Sequence, residues 1–245
     1  MIGYIIMKTK LGIIGAMESE VELLQSLLEH KESRKIGKHT YFTGTLSGTP
    51  TVIARAGVGK VNAAVCTAAM ILEFAPEYIL NTGVAGALGR GITVGDVIIA
   101  DSCVEYDLEY GALGDKRGSI FYPDSTSEIV MPADGELSAL LEKSAREVSG
   151  GEFEVKRGVV ATGDKFVSSN EAREDILSAF PEALCCEMEG AAIAQVCRLY
   201  SVKFSVLRSM SDSADGEAEM DFPTFVKLSA DRAAKIALTL AKSLS

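Results

Sequence analysis

Short apolar runs alternate with longer segments of helical spacing along the chain. The runs are rich in β-branched residues and predict buried strands, and the segments between them predict helices with one buried face. The predicted strands are residues 10–16, 38–46, 51–54, 77–80, 97–100, 154–161, 183–186 and 204–207. The predicted helices are residues 17–30, 61–74, 135–148, 190–200 and 221–244, with a short one after residue 167. This alternation predicts one α/β domain over residues 1–245, with a mostly parallel or mixed sheet that helices cover on both faces.

Two stretches do not follow this alternation. Residues 106–131 are predicted to be irregular, and we expect so long a connection to be functional or to cover part of the domain. Residues 1–9 are expected to be an N-terminal extension, with Met7 as the usual start. The apolar opening does not have the form of a signal peptide, and no apolar run approaches the roughly 20 residues of a membrane span.

Composition narrows the classes of function. The chain has 245 residues, 47% of them hydrophobic, with a net charge of −10 and no basic run. Nucleic acid is therefore not expected as a partner, because phosphate groups are neutralised by clustered Lys and Arg. A membrane is not expected either, since no apolar run is long enough to span one. The five cysteines form no CxxC motif and predict buried, reduced thiols in a cytoplasmic protein. His30 and His39 lie in a polar, Lys-rich stretch, so neither a metal site nor a His-based triad is expected.

Acidic residues follow three of the predicted strands. They are Glu18, Glu20, Glu187, Glu189 and Asp212. Ligands of open α/β sheets bind outside the carboxyl ends of the strands, so these side chains could converge on one cleft and carry out acid/base chemistry there. Asp212 is the candidate general acid, with Arg208 beside it, in a loop expected to begin after Arg208. The alternative is that these carboxylates face helix N-termini, and that Ser211 or Asp212 caps a following helix.

The glycine-rich turns do not match phosphate-binding motifs. The stretch Gly57-Val-Gly-Lys60 lacks the spacing and the Ser or Thr of a P-loop, and the glycines from Gly86 onwards follow a turn rather than a strand. Gly83 and Gly86 nevertheless allow the backbone to approach a ligand closely. Phe166 stands in another predicted strand-end loop, where it could stack on a flat ring. Burial in the core is the alternative for its side chain.

Six motifs follow one another in a recognisable order. They are GIIGAMESEV at residues 12–21, GVGK at 57–60, NTGVAG at 81–86, GDKF at 163–166, EMEG at 187–190 and RSMSD at 208–212. Together they closely resemble the 5′-methylthioadenosine/S-adenosylhomocysteine nucleosidases of the purine nucleoside phosphorylase family, over about residues 10–240. The resemblance implies a nucleoside phosphorylase-like, three-layer sandwich with a central mixed sheet flanked by helices. It also implies a homodimer that needs no cofactor.

The resemblance further implies hydrolysis of the N-glycosidic bond of a nucleoside, releasing adenine and a 5-thioribose. By matching position, Asp212 would protonate or hydrogen-bond N7 of adenine, and Glu189 would bind the ribose hydroxyls. Glu20 would activate the attacking water, which Arg208 would help to place. Phe166 would stack on the adenine. The full implied substrate-binding set is Met17, Val58, Val84, Phe166, Val167, Met188, Ser211 and Phe222.

Three alternatives stay open on the sequence. Phosphorylases of the same fold hold phosphate with arginines, typically including one where this chain has Asn81, and Glu20 would repel a phosphate dianion. Val84 stands where several relatives have Ser, and residues 106–115 depart from the pattern that forms the 5′ pocket across the dimer interface. A futalosine-type or other purine nucleoside hydrolase is therefore the second alternative. A nucleoside-binding protein without activity is the third.

Overall fold

The structure, a computed structural model, describes residues 9–212 and 222–245, with the backbone alone for residues 222–225. Twelve strands and six helices are found in these residues. The strands are β1 (Leu11–Gly15), β2 (Glu29–Ile36), β3 (His39–Leu46), β4 (Thr49–Arg55), β5 (Tyr78–Ala87), β6 (Val97–Glu105), β7 (Ile120–Phe121), β8 (Ser127–Glu128), β9 (Met131–Pro132), β10 (Val155–Thr162), β11 (Ala183–Glu187) and β12 (Lys203–Asp212). The helices are α1 (Glu18–Ser26), α2 (Lys60–Phe74), α3 (Gly135–Ser149), α4 (Asn170–Ala179), α5 (Gly190–Tyr200) and α6 (Phe222–Ser243).

A mixed sheet forms the centre of the fold. Its strand order is β11-β10-β6-β12-β5-β1-β4-β3-β2, and β9 pairs with β6. Parallel pairs join β10 to β11 and β6, and join β5 to β1 and β12, whereas β12 and β6 are antiparallel. Because β11 also pairs with β5, the strands β5, β12, β6, β10 and β11 close into a ring. The mixed sheet with flanking helices confirms the predicted fold class.

Helices cover both faces of the sheet, and the alternation of side chains along each strand decides which face receives them. On β1, Ile13 packs into a core shared with α1, α3 and α6, where it joins Leu240. Its neighbour Ile14 points to the other side and packs into a core shared with α2 and α5, together with Met70 and Ile193. Each strand of the centre is therefore apolar on both faces, as expected for a sheet buried between two helical layers.

The predicted helix at residues 17–30 is too long. It ends at Ser26, and β2 follows at Glu29–Ile36 with almost every side chain exposed. This strand has no apolar alternation, so its sequence carries no strand signal. It forms at the edge of the sheet because its backbone pairs antiparallel with β3.

Strands β5 and β12 run further than predicted. Their predicted ends were residues 80 and 207, but they continue to Ala87 and Asp212. The added residues of β5 pair with the added residues of β12 in the middle of the sheet. For example, Ser209 lies opposite Val84. These ladder bonds satisfy buried backbone groups and outweigh the low strand propensity of Gly, Ser and Asp. Asp212 therefore ends a strand instead of lying in a loop, and it is not the N-cap of α6, which begins ten residues later in the sequence.

Most of the segment 106–131 is irregular, as predicted, apart from a 3₁₀ turn at Gly111–Leu113 and the short hairpin of β7 and β8. Strand β6 continues to Glu105, five residues beyond its predicted end. The predicted N-cap of the last helix, Asp221, lies outside the described residues. Among the helices that are described, none is long and apolar enough to cross a membrane.

Candidate active site

A cavity of about 240 Å³ opens where the carboxyl ends of β1, β5, β11 and β12 meet. Its walls combine small and apolar residues with several carboxylates. The lining residues are Ala16, Met17, Glu20, Val58, Val84, Ala85, Gly86, Lys165, Phe166, Val167, Cys186, Glu187, Met188, Glu189, Ser211 and Asp212. They come from segments far apart in the sequence, so the cavity exists only in the folded chain.

Most of the residues predicted for the site meet at this cavity. Three of the four catalytic candidates line it, and the fourth, Arg208, contacts the lining residues Glu187 and Glu189 instead. Seven of the eight substrate-binding candidates also line it, namely Met17, Val58, Val84, Phe166, Val167, Met188 and Ser211. The eighth, Phe222, is the first residue of α6, and its side chain lies outside the described residues.

Glu20 is held by backbone N–H groups from two strand ends. Its Oε2 accepts from Ala16 at 2.7 Å and from Met17 at 2.8 Å, and its Oε1 accepts from Val84 at 3.1 Å. The bonds near Met17 close the N-terminus of α1, so Glu20 caps this helix and also lines the cavity. Burial raises the pKa of Glu20, whereas the charge of Arg208 and these backbone bonds lower it in part.

Gly83 leaves the room that this arrangement needs. A Cβ atom added at Gly83 would lie 2.5 Å from Glu20 Oε1 and would overlap Nη1 of Arg208. Any side chain at this position would therefore separate the carboxylate from the guanidinium. The glycine is therefore required for the close approach of these two side chains to the backbone of β5.

Arg208 is almost completely buried at 1% exposure and stands among three glutamates. Its Nη2 donates to Asn81 Oδ1 at 2.5 Å, forms a short ion pair with Glu187 and lies 3.5 Å from Glu189 Oε2. Burial lowers the pKa of Arg208, but the charges of Glu187, Glu189 and Glu20 more than compensate and raise it. The guanidinium therefore stays positive and partly neutralises the acidic side of the cavity.

Glu187 joins this cluster to the N-terminus of α5. Its carboxylate accepts the N–H of Glu189 at 2.9 Å and that of Gly190 at 2.8 Å, and it also accepts the hydroxyl of Thr162. Thr162 in turn accepts the N–H of Ala191 at 2.8 Å. Glu187 thus performs the capping role considered for the acidic residues, and it fixes where α5 begins.

Glu189 is a buried acid whose pKa is shifted towards neutral pH. Its Oε1 accepts the N–H of Gly59 at 2.9 Å, and its side chain is nearly buried. Burial and the charge of Glu187 raise the pKa of Glu189 to about 7, against smaller opposite effects of Arg208 and the Gly59 N–H. This side chain can therefore exchange a proton near neutral pH.

Asp212 lies at the end of β12, opposite Gly86 of the neighbouring strand β5. It is 5% exposed, and its Oδ2 accepts the hydroxyl of Ser211 at 2.9 Å. The apolar part of the wall is more open, because Phe166 is 54% and Val58 is 50% exposed. The cavity therefore has buried acids inside and an exposed aromatic ring at its mouth, so Phe166 is not in the core.

Several residues of the site were given no role by the sequence. Asn81 and Thr162 orient charged side chains, and Lys165 and Cys186 line the cavity. Glu187 carried a signal, since it follows a strand, but its contact with Arg208 depends on the folding of β11 beside β5. In the part of the chain that the structure describes, no group of three or more His, Cys, Asp or Glu side chains is placed to hold a metal ion.

Comparison with known proteins agrees with this fold and site. The family model for the phosphorylase superfamily matches residues 10–242. The mixed sheet and its flanking helices are therefore the fold of that superfamily. A 5′-methylthioadenosine/S-adenosylhomocysteine nucleosidase from Geobacillus sp. (strain WCH70) is 37% identical over 235 residues, covering 96% of this chain and 99% of the relative.

Two solved structures are equally similar in shape. The nucleosidase of the same name from Neisseria meningitidis, in complex with methylthio-immucillin-A, has a TM-score of 0.90 at 39% identity and covers 96% of this chain and 99% of that chain. The one from Colwellia psychrerythraea 34H, in complex with adenine, has a TM-score of 0.90 at 32% identity, with coverages of 98% and 97%. The chain belongs to the 5′-methylthioadenosine/S-adenosylhomocysteine nucleosidase family, which confirms the resemblance drawn from the six motifs.

Proposed function

We propose that this protein hydrolyses the N-glycosidic bond of 5′-methylthioadenosine and S-adenosylhomocysteine, releasing adenine and a 5-thioribose. The observation that carries the proposal is the meeting of Glu20, Glu189 and Asp212 at one cavity from three distant parts of the chain. The ligands of the Neisseria and Colwellia relatives, methylthio-immucillin-A and adenine, support a nucleoside as the occupant.

Asp212 is assigned to the leaving base. Glycosidic cleavage proceeds through an oxocarbenium-like transition state, in which electrons flow into the base and the sugar becomes positive. The Asp212 carboxyl would protonate or hydrogen-bond N7 of adenine and so stabilise the departing base. The Ser211 hydroxyl, 2.9 Å from Asp212 Oδ2, favours a fixed orientation of this carboxyl. An oriented group in a buried site interacts with developing charge more strongly than water does.

Glu20 is assigned to the attacking water. Three backbone N–H groups hold its carboxylate at the cavity wall, and burial raises its pKa, which makes it a stronger base than an exposed glutamate. Arg208 does not line the cavity, so it would help to place the water indirectly, since its Nη1 donates to the carbonyl of Val84 at 3.4 Å and the N–H of Val84 binds Glu20. The base and the guanidinium thus share one backbone neighbour.

The remaining residues are assigned to the sugar and the base. Glu189 would accept hydrogen bonds from the ribose hydroxyls, with Met188 packed beneath the sugar. Phe166 would stack on the adenine, and its 54% exposure supports this because a bound base would cover the ring. The backbone of Val167 would read the amino edge of the base. Met17, Val58, Val84 and Phe222 are assigned to the pocket wall.

Water is favoured over phosphate as the nucleophile. Among the described residues that line the cavity, Lys165 is the one basic side chain, whereas four are acidic. Asn81 stands where related phosphorylases typically carry an arginine, and here its side chain is fully buried and bound to Arg208 and to the carbonyl of Ile14. A phosphate dianion beside Glu20 would be repelled, and a neutral water molecule would not.

We also propose that the chain is a single domain and works as a homodimer in the cytoplasm, with a 5′ pocket shared between the two copies. The family match across residues 10–242 supports one domain, and five free, buried cysteines suit a reducing compartment. Leu113, in the segment 106–115 expected to reach the partner, is 78% exposed. Light scattering at low protein concentration should give twice the mass of the chain, and a monomer mass would reject the dimer.

The activity is tested with 5′-methylthioadenosine in phosphate-free buffer, with release of adenine measured by chromatography. We expect adenine to be released without phosphate, at a rate that added phosphate does not change. Release that begins only after phosphate is added would assign the chain to the phosphorylases. Tight binding of the nucleoside without cleavage would show a binding protein. Parallel reactions with S-adenosylhomocysteine and aminofutalosine would establish the preferred 5′ substituent.

A further inference from the structure

Three loops beside the cavity are joined by a closed ring of hydrogen bonds between Lys60, Asp107 and Asp164, here called the clasp. Asp164 Oδ1 accepts the backbone N–H of Lys60 at 2.8 Å. The backbone N–H of Asp164 donates to Asp107 Oδ2 at 2.7 Å, and Asp107 Oδ1 accepts from Lys60 Nζ at 2.7 Å. The clasp therefore connects the start of α2 with the ends of β6 and β10.

The clasp is more than an exposed ion pair. The Lys60 side chain is only 18% exposed and also binds Glu105, whose side chain is 7% exposed, at 3.2 Å. The Asp107 carboxylate accepts two of the three bonds, whereas the side chains of Lys60 and Asp164 each make one and their backbone N–H groups make the others. Networks of this kind hold their members in place more firmly than isolated surface pairs do.

The residues next to the clasp belong to the cavity. Gly59, which precedes Lys60, donates its N–H to Glu189 at 2.9 Å. Phe166, two residues after Asp164, lines the mouth, and the carbonyl of Lys165 between them accepts the hydroxyl of Tyr106 at 3.1 Å. The clasp thus lies between Gly59, which binds Glu189, and the exposed ring of Phe166.

The fit at Gly59 shows how closely these loops approach. Gly59 has a φ of +96°, which disfavours other residues, and an added Cβ would lie 3.0 Å from Asp164 Oδ1. The Asp164 carboxylate also caps α2, since the N-cap position, Gly59, has no side chain to do so. A residue from a distant loop therefore takes the place of a local cap.

We propose that Lys60, Asp107 and Asp164 are positioning residues, which hold the Gly59 N–H against Glu189 and the Phe166 ring against the base. This inference rests on the function proposed above. The clasp residues are absent from the cavity wall, so they act through Gly59 and Phe166 rather than on the substrate. Their loss should weaken the binding of the nucleoside and of adenine more than it slows the chemical step.

The test compares Asp164→Ala with Asp134→Ala. Asp134 caps α3 by accepting the N–H of Leu137 at 2.8 Å, and α3 has 15 residues, as α2 has. Both changes remove a capping carboxylate, but Asp134 is remote from the cavity-lining segments. We expect Asp164→Ala to raise KM for 5′-methylthioadenosine and Kd for adenine about fivefold, with kcat changed less than about twofold. Asp134→Ala should leave all three near wild type.

A conservative variant separates positioning from general destabilisation. Asp164→Asn keeps the Oδ1 acceptor for the Lys60 N–H and should restore KM and Kd to within about twofold of wild type. Equal effects of Asp164→Ala and Asp134→Ala, or no recovery in Asp164→Asn, would overturn the inference. Wild-type turnover, measured first, tests the proposed function by itself, and adenine binding by calorimetry tests the clasp without turnover.

Discussion

Replacing Glu189 with Gln should make the protein more stable at alkaline pH while it removes activity. The side chain is buried, and its pKa is raised to about 7 from an ordinary 4.5, first by burial and then by the charge of Glu187. At about 1.36 kcal/mol for each pKa unit, this difference corresponds to about 3 kcal/mol of unfolding free energy. A neutral amide of nearly the same shape does not carry this cost.

The sign of the effect follows from proton binding. Because the pKa of Glu189 is higher in the folded than in the unfolded chain, the folded state holds the proton more tightly. The contribution of Glu189 to stability is therefore complete below about pH 4.5 and is lost as the pH rises through about 7. We expect Glu189→Gln to exceed wild type by about 3 kcal/mol at pH 8, and by less than about 1 kcal/mol at pH 5.

Thermal unfolding followed by circular dichroism at the two pH values measures this difference. For a chain of this size, about 3 kcal/mol corresponds to a Tm increase of roughly 6–12 °C at pH 8. Glu147→Gln, an exposed change on α3, is the control and should shift Tm little at either pH.

Adenine release should fall at least about tenfold in Glu189→Gln, since the amide cannot bind the ribose hydroxyls as a carboxylate does. A Glu189→Gln variant that is less stable than wild type at pH 8 would refute this reasoning. The same Tm difference from wild type at pH 5 and pH 8 would also refute it.

Two further substitutions test the assigned roles. Asp212→Asn should keep the Tm near wild type and slow adenine release by about 10²- to 10⁴-fold, and a near-normal rate would remove Asp212 from its role. Gly83→Ala should slow release more than about tenfold, because the added Cβ would lie 2.5 Å from Glu20 Oε1. Gly135→Ala, which meets nothing within 4 Å, is its control, and equal activity of the two alanine variants would contradict the close approach at Gly83.

How much of the fold the sequence predicts depends on where each strand finds its partners. The apolar runs of β1 and β11 identify these strands because both of their faces are buried. Strand β2 is polar and exposed, so its pairing with β3 is invisible to any apolar pattern. The ends of β5 and β12 are strands only because each lies beside the other. A reading of either segment alone therefore ends the strand at the first small or polar residue.

The same distinction applies to the site. Glu20, Glu189 and Asp212 were predicted because a carboxylate after a buried strand has a known location in an α/β fold. The contacts that hold Arg208 in place were not predicted, because they depend on which strands become neighbours. Arg208 and Asn81 are 127 positions apart in the sequence, so no local motif indicates their contact.

The electrostatics of the cavity also arise from the assembled structure. One guanidinium, that of Arg208, faces the carboxylates of Glu20, Glu187 and Glu189 in buried surroundings. If all three acids were ionised, negative charge would be left without compensation, at a large cost in solvation energy. Retaining a proton on one of the acids relieves that cost, and the raised pKa values of Glu20 and Glu189 express this tendency. The excess of acids over arginine therefore leaves Glu189 able to accept or release a proton near neutral pH.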